Sequence, residues 1–250
     1  MSGRLLLVPT PLDFGLETDT PIAELLPLRT LREAASLRHW VVENAKTARA
    51  VLKRIDAVQP LGVPLQSLQI SELPRPTKGR QAAAPALTPL LAPLRDGLDL
   101  GLMSEAGLPA VADPGALLVA QAHRDGYKVQ SLPGSSSLVQ ALAASGLNGQ
   151  SFAFQGYLPQ DAGARSTRIR ELEQLSRKRA QTQLVIETPY RNAALLEALL
   201  AALQPGTLLA VSCALTTAQE WTRCASVAQW RQQTSALPKD QPAIFSWLAS

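Results

Sequence analysis

Short apolar runs alternate along this chain with stretches in which apolar residues recur every three or four positions. The runs predict buried β-strands and the helical spacing predicts amphipathic helices, so the alternation indicates an α/β fold. In the first part of the chain the predicted strands are Arg4–Val8, His39–Glu43, Leu65–Ile70, Leu98–Met103 and Tyr127–Leu132. In the second part they are Phe152–Gln155, Gln183–Glu187, Thr207–Cys213 and Ala243–Leu248.

Polar residues mark where the helices begin and end. Thr30 and Glu33 have the spacing of a capping box, and Asn44 is placed to cap a helix that runs to about Val58. Proline recurs between Pro74 and Pro93, which predicts broken helical structure there. Further helices are predicted up to Arg124 and over Ser135–Ser145 (ended by Gly146), Ala164–Arg179, Asn192–Leu203 and Ser226–Thr234.

The segment Gly146–Ser151 is rich in glycine and polar residues and predicts a domain boundary. We therefore expect an N-terminal α/β domain over residues 1–148 and a C-terminal α/β domain over residues 149–250. A ligand cleft is expected between two such domains.

The composition is that of a soluble globular protein. Of the 250 residues, 46% are hydrophobic and 18% are charged, which suffices for a full core. No apolar run approaches the roughly 18 residues that cross a membrane, and Pro9 and Pro11 interrupt the first run too early for a signal peptide. Two cysteines and two histidines make neither a disulfide framework nor a metal cluster, so a cytoplasmic location is expected. The net charge of +4 permits an anionic partner.

The stretch from Gly101 to Gly134 holds the candidate chemistry. Two predicted strands each end in a polar, glycine-containing loop, and loops at the carboxyl ends of strands bind ligands in open α/β sheets. We expect Ser104–Leu108 and Pro133–Ser137 to line one crevice. Neither a G-x-G-x-x-G motif after a predicted strand nor a P-loop occurs, so nicotinamide and P-loop nucleotide chemistry lack support.

Five motifs, in order, resemble the tetrapyrrole methylase superfamily. They are VPTP from Val8, GLMSEAGLPAVADPG from Gly101, LPGSSSLVQALAASGL from Leu132, FAFQGYLP from Phe152 and VIETPYR from Val185. Within it the chain is most similar to the methyltransferase I branch, which methylates ribose 2′-hydroxyls of small-subunit ribosomal RNA. The resemblance implies S-adenosylmethionine bound between two α/β domains, a homodimer, and RNA or the small ribosomal subunit as partner.

The resemblance also implies which residues bind the cofactor. Glu105 stands where relatives usually have Asp, and it can pair with the ammonium or accept ribose hydroxyls. The loop at Pro133 leads to a helix start, where free N–H groups attract a carboxylate. The predicted cofactor-binding residues are Pro9, Ser104, Glu105, Ala106, Gly107, Leu108, Pro133, Gly134, Ser136 and Ser137.

A ribose hydroxyl needs help in losing its proton, and Glu187 is the first candidate base, followed by Glu43. The competing interpretation of Glu187 is structural: it caps the next helix and pairs with Arg191. Lys46, Tyr190 and Arg191 are further candidates to assist the reaction. Basic side chains that an anionic substrate could contact cluster at Arg75, Lys78 and Arg80 and at Arg165, Arg168, Arg170, Arg177, Lys178 and Arg179. Glu171 and Glu173 interleave with the second cluster and favour an ordinary solvated helix there.

Several segments depart from the pattern of the branch. They are Leu12–Gly15, Glu43–Arg49 and Cys213–Thr217, all expected near the substrate. Three hypotheses therefore stay open: an RNA methyltransferase, a methyltransferase of a tetrapyrrole or other small molecule, and a non-catalytic protein that kept the cofactor pocket.

Overall fold

The computed structural model describes residues 2–13, 20–74, 87–233 and 237–250. The chain divides into two compact units, Met1–Ser136 and Ser137–Ser250, and each contains a five-stranded sheet. Both units mix helices with strands, which confirms the predicted α/β class. None of the helices in the described ranges combines the length and the apolar composition that a membrane span requires.

The sheet of the first unit is entirely parallel, in the order β3-β2-β4-β1-β5. Its strands are β1 (Arg4–Leu7), β2 (His39–Val42), β3 (Gln69–Glu72), β4 (Leu100–Met103) and β5 (Lys128–Ser131). Its helices are α1 (Ile22–Leu25), α2 (Leu28–Ser36), α3 (Ala45–Asp56), α4 (Ala92–Arg95) and α5 (Ala116–Arg124), with 3₁₀ turns at Leu65–Ser67 and Thr88–Leu91.

Alternate residues of β1 pack on opposite faces of this sheet. Leu6 belongs to the core beneath α2 and α3, whereas Leu5 and Leu7 belong to the core beneath α5. The connections that follow β1 and its neighbour β4 thus cover opposite faces. Adjacent strands with that property form a topological switch point, where the loops at the carboxyl ends diverge and leave a crevice.

The sheet of the second unit has the order β6-β7-β10-β8-β9, with only the β6–β7 pair parallel. The strands are β6 (Phe152–Phe154), β7 (Thr182–Glu187), β8 (Leu208–Cys213), β9 (Trp221–Ser226) and β10 (Ala243–Leu248). The helices are α6 (Ser137–Ser145), α7 (Ala162–Arg179), α8 (Asn192–Ala202) and α9 (Val227–Gln232), with a 3₁₀ turn at Pro189–Arg191. Helices α7, α8 and α9 supply the core around Phe245 and Trp247.

The division between the units falls before α6, whereas the sequence predicted a boundary after it, between residues 148 and 149. Helix α6 goes with the second unit because it contacts β8, β9 and β10. Gly146 follows it with φ of +68°, as predicted for the residue that ends this helix.

Two local predictions were wrong, and one strand was not predicted. The Thr30–Glu33 capping box does not form, because α2 begins earlier, at Leu28, and its N-cap is Pro27. Pro64 initiates a 3₁₀ turn in place of the first half of the third predicted strand, so β3 starts only at Gln69. Strand β9 went unpredicted because its residues are half-buried at a sheet edge and lack apolar alternation. The Asn44 cap of α3 is confirmed: its side chain accepts from the Lys46 and Thr47 N–H groups.

Candidate active site

The loops that follow β1 and β4 are joined at the switch point. Thr10 donates its N–H to the Gly107 carbonyl over 2.9 Å, and Gly107 donates to the Thr10 carbonyl over 3.1 Å. The Thr10 hydroxyl, fully buried, lies 3.4 Å from the Ser104 carbonyl. Gly107 has φ of +75°, a conformation that suits glycine. The β4 loop is therefore held against the end of β1.

The loop that follows β5 lies against the same place. A Cβ atom on Gly134 would lie 2.2 Å from Cγ of Pro9, and one on Gly107 would lie 3.8 Å from the Ser135 carbonyl oxygen. The Thr30 hydroxyl donates to the Pro133 carbonyl over 2.6 Å. The structure thus brings together Pro9, Gly107 and Gly134 from the predicted set.

The predicted cofactor residues differ in how far they are exposed. Pro9, Ser104 and Gly107 are buried, whereas Pro133 and Gly134 are exposed. The remaining residues are half-buried: Glu105, Ala106, Leu108, Ser136 and Ser137. The accessible surface is therefore formed by the tip of the β5 loop and the outer residues of the β4 loop.

The β4 loop contains an unusual backbone. Besides Gly107 and Gly115, Ala110 and Ala112 adopt positive φ angles of 68° and 64°. A non-glycine residue in this region costs on the order of 1 kcal/mol or more. The Ala110 N–H donates to the Pro114 carbonyl over 3.2 Å, which closes the loop just before α5. Such strain is concentrated at functional sites, and it shapes the turn that carries Asp113.

Three carboxyl groups meet beside this turn. Glu43 follows β2, and its carboxylate accepts the Glu105 N–H over 3.1 Å. The Glu105 carboxylate accepts the Thr47 hydroxyl over 3.1 Å. Asp113 is close enough to both glutamates for their charges to act on it. Glu43 and Glu105 were predicted as site residues, and the structure places them together.

Asp113 was not singled out from the sequence. The pKa of its carboxyl group is raised to about 7, chiefly by burial. The charges of Glu43 and Glu105 add to this rise, and a hydrogen bond with the Ser104 side chain opposes it. Burial also raises the pKa of Glu43, against the hydrogen bond from Glu105. The available signal was the Asp-Pro-Gly sequence within the densest motif, just before a helix. The sequence alone did not show that the carboxylates of Glu43 and Glu105 lie close to Asp113.

A cavity of about 480 Å³ opens beside these groups within the first unit. Glu43, Glu105 and Asp113 give it a polar wall, and the other lining residues are mainly apolar, among them Leu73, Leu87 and Leu117. A cavity of this size, with a few polar groups on an apolar wall, is typical of small-ligand sites.

Glu187 lies in the second unit, at the end of β7, and is 7% exposed. Its carboxylate pairs with Arg191 over 3.0 Å and accepts the Thr188 N–H over 2.8 Å. The pair with Arg191 matches one part of the structural interpretation of Glu187. The other part was wrong, because the N-cap residues of the following 3₁₀ turn and of α8 are Thr188 and Arg191. Its catalytic role stays a prediction.

The segments that depart from the family pattern have structural roles where they are described. Asp13 is buried and pairs with Arg54 over 2.7 Å, and Cys213 is buried in the core of the second unit. Lys46 and Arg49 lie on α3. Phe14 and Gly15 lie outside the described residues, as do the predicted basic residues Arg75, Lys78 and Arg80.

A parallel sheet with polar loops at a switch point, and a cavity with a titratable wall beside the β4 loop, form an arrangement in which α/β proteins bind ligands. The chain belongs to the family described as Tetrapyrrole (Corrin/Porphyrin) Methylases, which matches residues 24–229. This family match confirms the resemblance that the motifs indicated.

Several relatives carry the name Ribosomal RNA small subunit methyltransferase I. The protein from Mesorhizobium japonicum is 32% identical over 206 residues, which is 81% of this chain and 64% of the relative. The one from Thermotoga maritima is 31% identical over 76% of this chain and 73% of its own length. The one from Vibrio cholerae is 42% identical over 39% of this chain and 33% of its own length. The chain thus spans less than two thirds of the Mesorhizobium and Vibrio proteins.

Solved structures share the fold. A uroporphyrin-III-C-methyltransferase from Thermus thermophilus superposes with a TM-score of 0.53 at 21% identity, covering 99% of this chain and 93% of that one. The methyltransferase CobJ superposes with a TM-score of 0.58 at 16% identity over the full length of both chains. At these identities the likeness concerns the fold alone.

Proposed function

We propose that this protein is an S-adenosylmethionine-dependent methyltransferase that modifies RNA, at a ribose 2′-hydroxyl of small-subunit ribosomal RNA or a related target. The family match supports the reaction class, and the shared name of the relatives supports the RNA acceptor. The observation that carries the proposal is the position of Asp113 beside Glu43 and Glu105, on the wall of a cavity to which the β4 loop contributes Glu105.

The residues present fit the cofactor. S-adenosylmethionine carries a sulfonium and an ammonium group, and the carboxylates of Glu43 and Glu105 are suited to attract positive charge. The exposed Pro133–Gly134 tip leaves main-chain groups accessible to a ligand. We propose that the two loops hold the cofactor through the predicted residues Pro9, Ser104, Glu105, Ala106, Gly107, Leu108, Pro133, Gly134, Ser136 and Ser137. When bound, it supplies an activated methyl group.

The chain itself must position the acceptor and take its proton. Asp113 is suited to accept the proton from the attacking hydroxyl oxygen, because a base works best when its pKa lies near the working pH. Burial raises the pKa of Asp113 most, and the charge of Glu43 adds to the rise, so Glu43 acts through Asp113. The apolar residues Leu73, Leu87 and Leu117 line the cavity beside these groups.

Methyl transfer to isolated small ribosomal subunits, measured with isotope-labelled S-adenosylmethionine, tests this proposal. A 2′-O-methyl group is identified by the resistance of the adjacent phosphodiester to alkali. We expect the wild-type protein to label the RNA and Asp113→Asn to lower kcat by about 100-fold or more. Asp96→Asn, an exposed aspartate whose side chain is 64% accessible, is the matched control and is expected to behave as wild type.

Two results would contradict the proposal in different ways. Equal activity in Asp113→Asn and wild type would remove Asp113 from the reaction while leaving the methyltransferase intact. Absence of labelling on every RNA tested, together with undiminished binding of S-adenosylmethionine, would favour the non-catalytic hypothesis.

A small-molecule acceptor is the second candidate. The cavity of about 480 Å³ favours it, because that volume lies in the range of small-ligand pockets. Labelling of a porphyrin-type compound, without labelling of ribosomal subunits, would establish this alternative. The homodimer and the cytoplasmic location stay predictions, and sedimentation of the purified protein tests the first.

A further inference from the structure

Helix α7 has a basic face that was not predicted from its sequence. The interleaved glutamates Glu171 and Glu173 predicted an ordinary solvated helix of mixed charge. In the structure these two residues face different surroundings, which changes the charge that α7 presents to solvent.

Glu173 does not lie on the outer face. It is 4% exposed, and its carboxylate accepts the Thr207 hydroxyl and, over 2.8 Å, the Gln204 N–H. A carboxylate that is buried and hydrogen-bonded inside the unit neutralises little of the surface charge. Glu171 is exposed but pairs with Arg168 over 3.2 Å. Asp161 caps the opposite end of the helix.

The exposed cations beyond these are Arg170, Arg177, Lys178 and Arg179. The Arg177 guanidinium donates to the Ser250 carbonyl over 2.7 Å. Across the described ranges, no Asp or Glu side chain forms an ion pair with any of the four. The face therefore has unbalanced positive charge.

Three of these residues form one stripe. Arg170 and Arg177 are seven positions apart, so they share a side of the helix with a separation of about 10.5 Å along the axis. Lys178 follows beside them. The helix dipole favours cations in the last turn and accounts for Arg177 and Lys178, but it does not account for Arg170, which lies mid-helix. A row of cations that pair with no Asp or Glu side chain is complementary to a chain of phosphates.

We propose that the stripe formed by Arg170, Arg177 and Lys178 docks the phosphodiester backbone of the RNA acceptor. The inference rests on the proposed function, because it assigns the surface by which that enzyme would hold its substrate. Such contacts are independent of base sequence and weaken as salt rises.

The test is the salt dependence of RNA binding. A fluorescein-labelled single-stranded RNA oligonucleotide is titrated with the full-length protein over a series of KCl concentrations, without cofactor. Each phosphate contact contributes about 0.7 to the slope of log K against log salt for single strands. For Arg170→Gln/Arg177→Gln/Lys178→Gln we therefore expect the slope to fall by about 2.

The matched control removes the same charge elsewhere. Arg29, Arg32 and Arg38 are exposed in the first unit, and their triple Gln variant is expected to keep the wild-type slope. Because Arg177 also contacts Ser250, the double variant Arg170→Gln/Lys178→Gln repeats the test without losing that bond. For it, the expected decrease is about 1.4.

The proposal is overturned if the wild-type protein binds no RNA at low salt, or if the α7 variants keep its slope. It is also overturned if the control variant loses as much slope as the α7 variant, because bulk charge would then explain the binding. Failure of the proposed function shows separately, as a wild-type protein that binds RNA but transfers no methyl group from S-adenosylmethionine.

Discussion

Asp113 shows how one carboxyl group acquires its properties from its neighbours. It lies on a turn whose backbone is held at Ala110 and Ala112 in the left-handed region, and this turn brings it beside Glu43 and Glu105. Burial and the two carboxylates together favour its protonated form. The identity of residue 113 alone predicts neither these neighbours nor the raised pKa of its carboxyl group.

The raised pKa of Asp113 predicts a pH-dependent stability. Its pKa is about 7 in the folded protein against 3.8 for the unperturbed group, so the folded state binds more protons between these values. Stability therefore falls as pH rises through this window. Asp113→Asn removes the charge, and after allowance for solvent screening we expect it to stabilise the protein at about pH 8 by on the order of 1 kcal/mol.

Urea unfolding at about pH 4 and about pH 8 measures this effect. The two proteins are expected to differ at the higher pH and to agree at the lower one, where Asp113 is protonated in the folded state. A stabilisation that is equal at both values would show that the effect is not electrostatic.

Glu43 is expected to act on the reaction through Asp113. Glu43→Gln removes a negative charge that raises the pKa of Asp113, so the charged base persists to lower pH. We expect the acidic limb of the rate profile for methyl transfer to move to lower pH, with a smaller change in the maximum rate. A large loss of rate at every pH, with the limb unmoved, would instead make Glu43 a direct participant.

Among the secondary-structure elements, the predictions were most accurate where interactions between residues close in sequence determine the structure. Asn44 capped its helix as expected because two N–H groups lie within reach of its side chain, and the buried strand β4 was evident from its apolar run. Strand β3 was misplaced because Pro64 initiates a 3₁₀ turn at the start of the predicted strand, and β9 was missed because its half-buried residues lack apolar alternation. Of the site, the two loops were predictable from their turns. The meeting of Glu43, Glu105 and Asp113 depends on strand order.

Helix α7 ends in a way that predicts a stabilising substitution. Its C-cap residue Ala180 has φ of 47° and ψ of 43°, a left-handed conformation in which the Cβ atom is unfavourable. We expect Ala180→Gly to stabilise the protein by about 1 kcal/mol.

The control for Ala180 is the same change within a helix. Ala143 is exposed on α6, and Ala143→Gly is expected to destabilise by about 0.5–1 kcal/mol. Thermal unfolding of the two variants gives the comparison. Destabilisation by both would contradict the left-handed assignment at Ala180.

At the scale of the whole molecule, each unit has its own sheet and its own core. The first unit holds the switch point, the cavity and the three carboxyl groups, and the second holds Glu187 and the basic face of α7. The proposals therefore place Asp113 and every proposed cofactor-binding residue except Ser137 in the first unit, and RNA docking in the second.

The central claim is that the loops at the switch point bind S-adenosylmethionine. Calorimetric titration with S-adenosylmethionine and S-adenosylhomocysteine tests it most directly, using wild type, Gly134→Ala and Gly149→Ala. A Cβ atom on Gly134 would lie 2.2 Å from Cγ of Pro9, whereas one on Gly149 would meet nothing within 4 Å. We predict micromolar binding by wild type and Gly149→Ala. Binding by Gly134→Ala is expected to be about 10-fold or more weaker, because a loss of about 1.4 kcal/mol of binding free energy lowers the affinity by a factor of about ten. Absence of binding by a folded wild-type protein, or equal binding by all three, would contradict the claim.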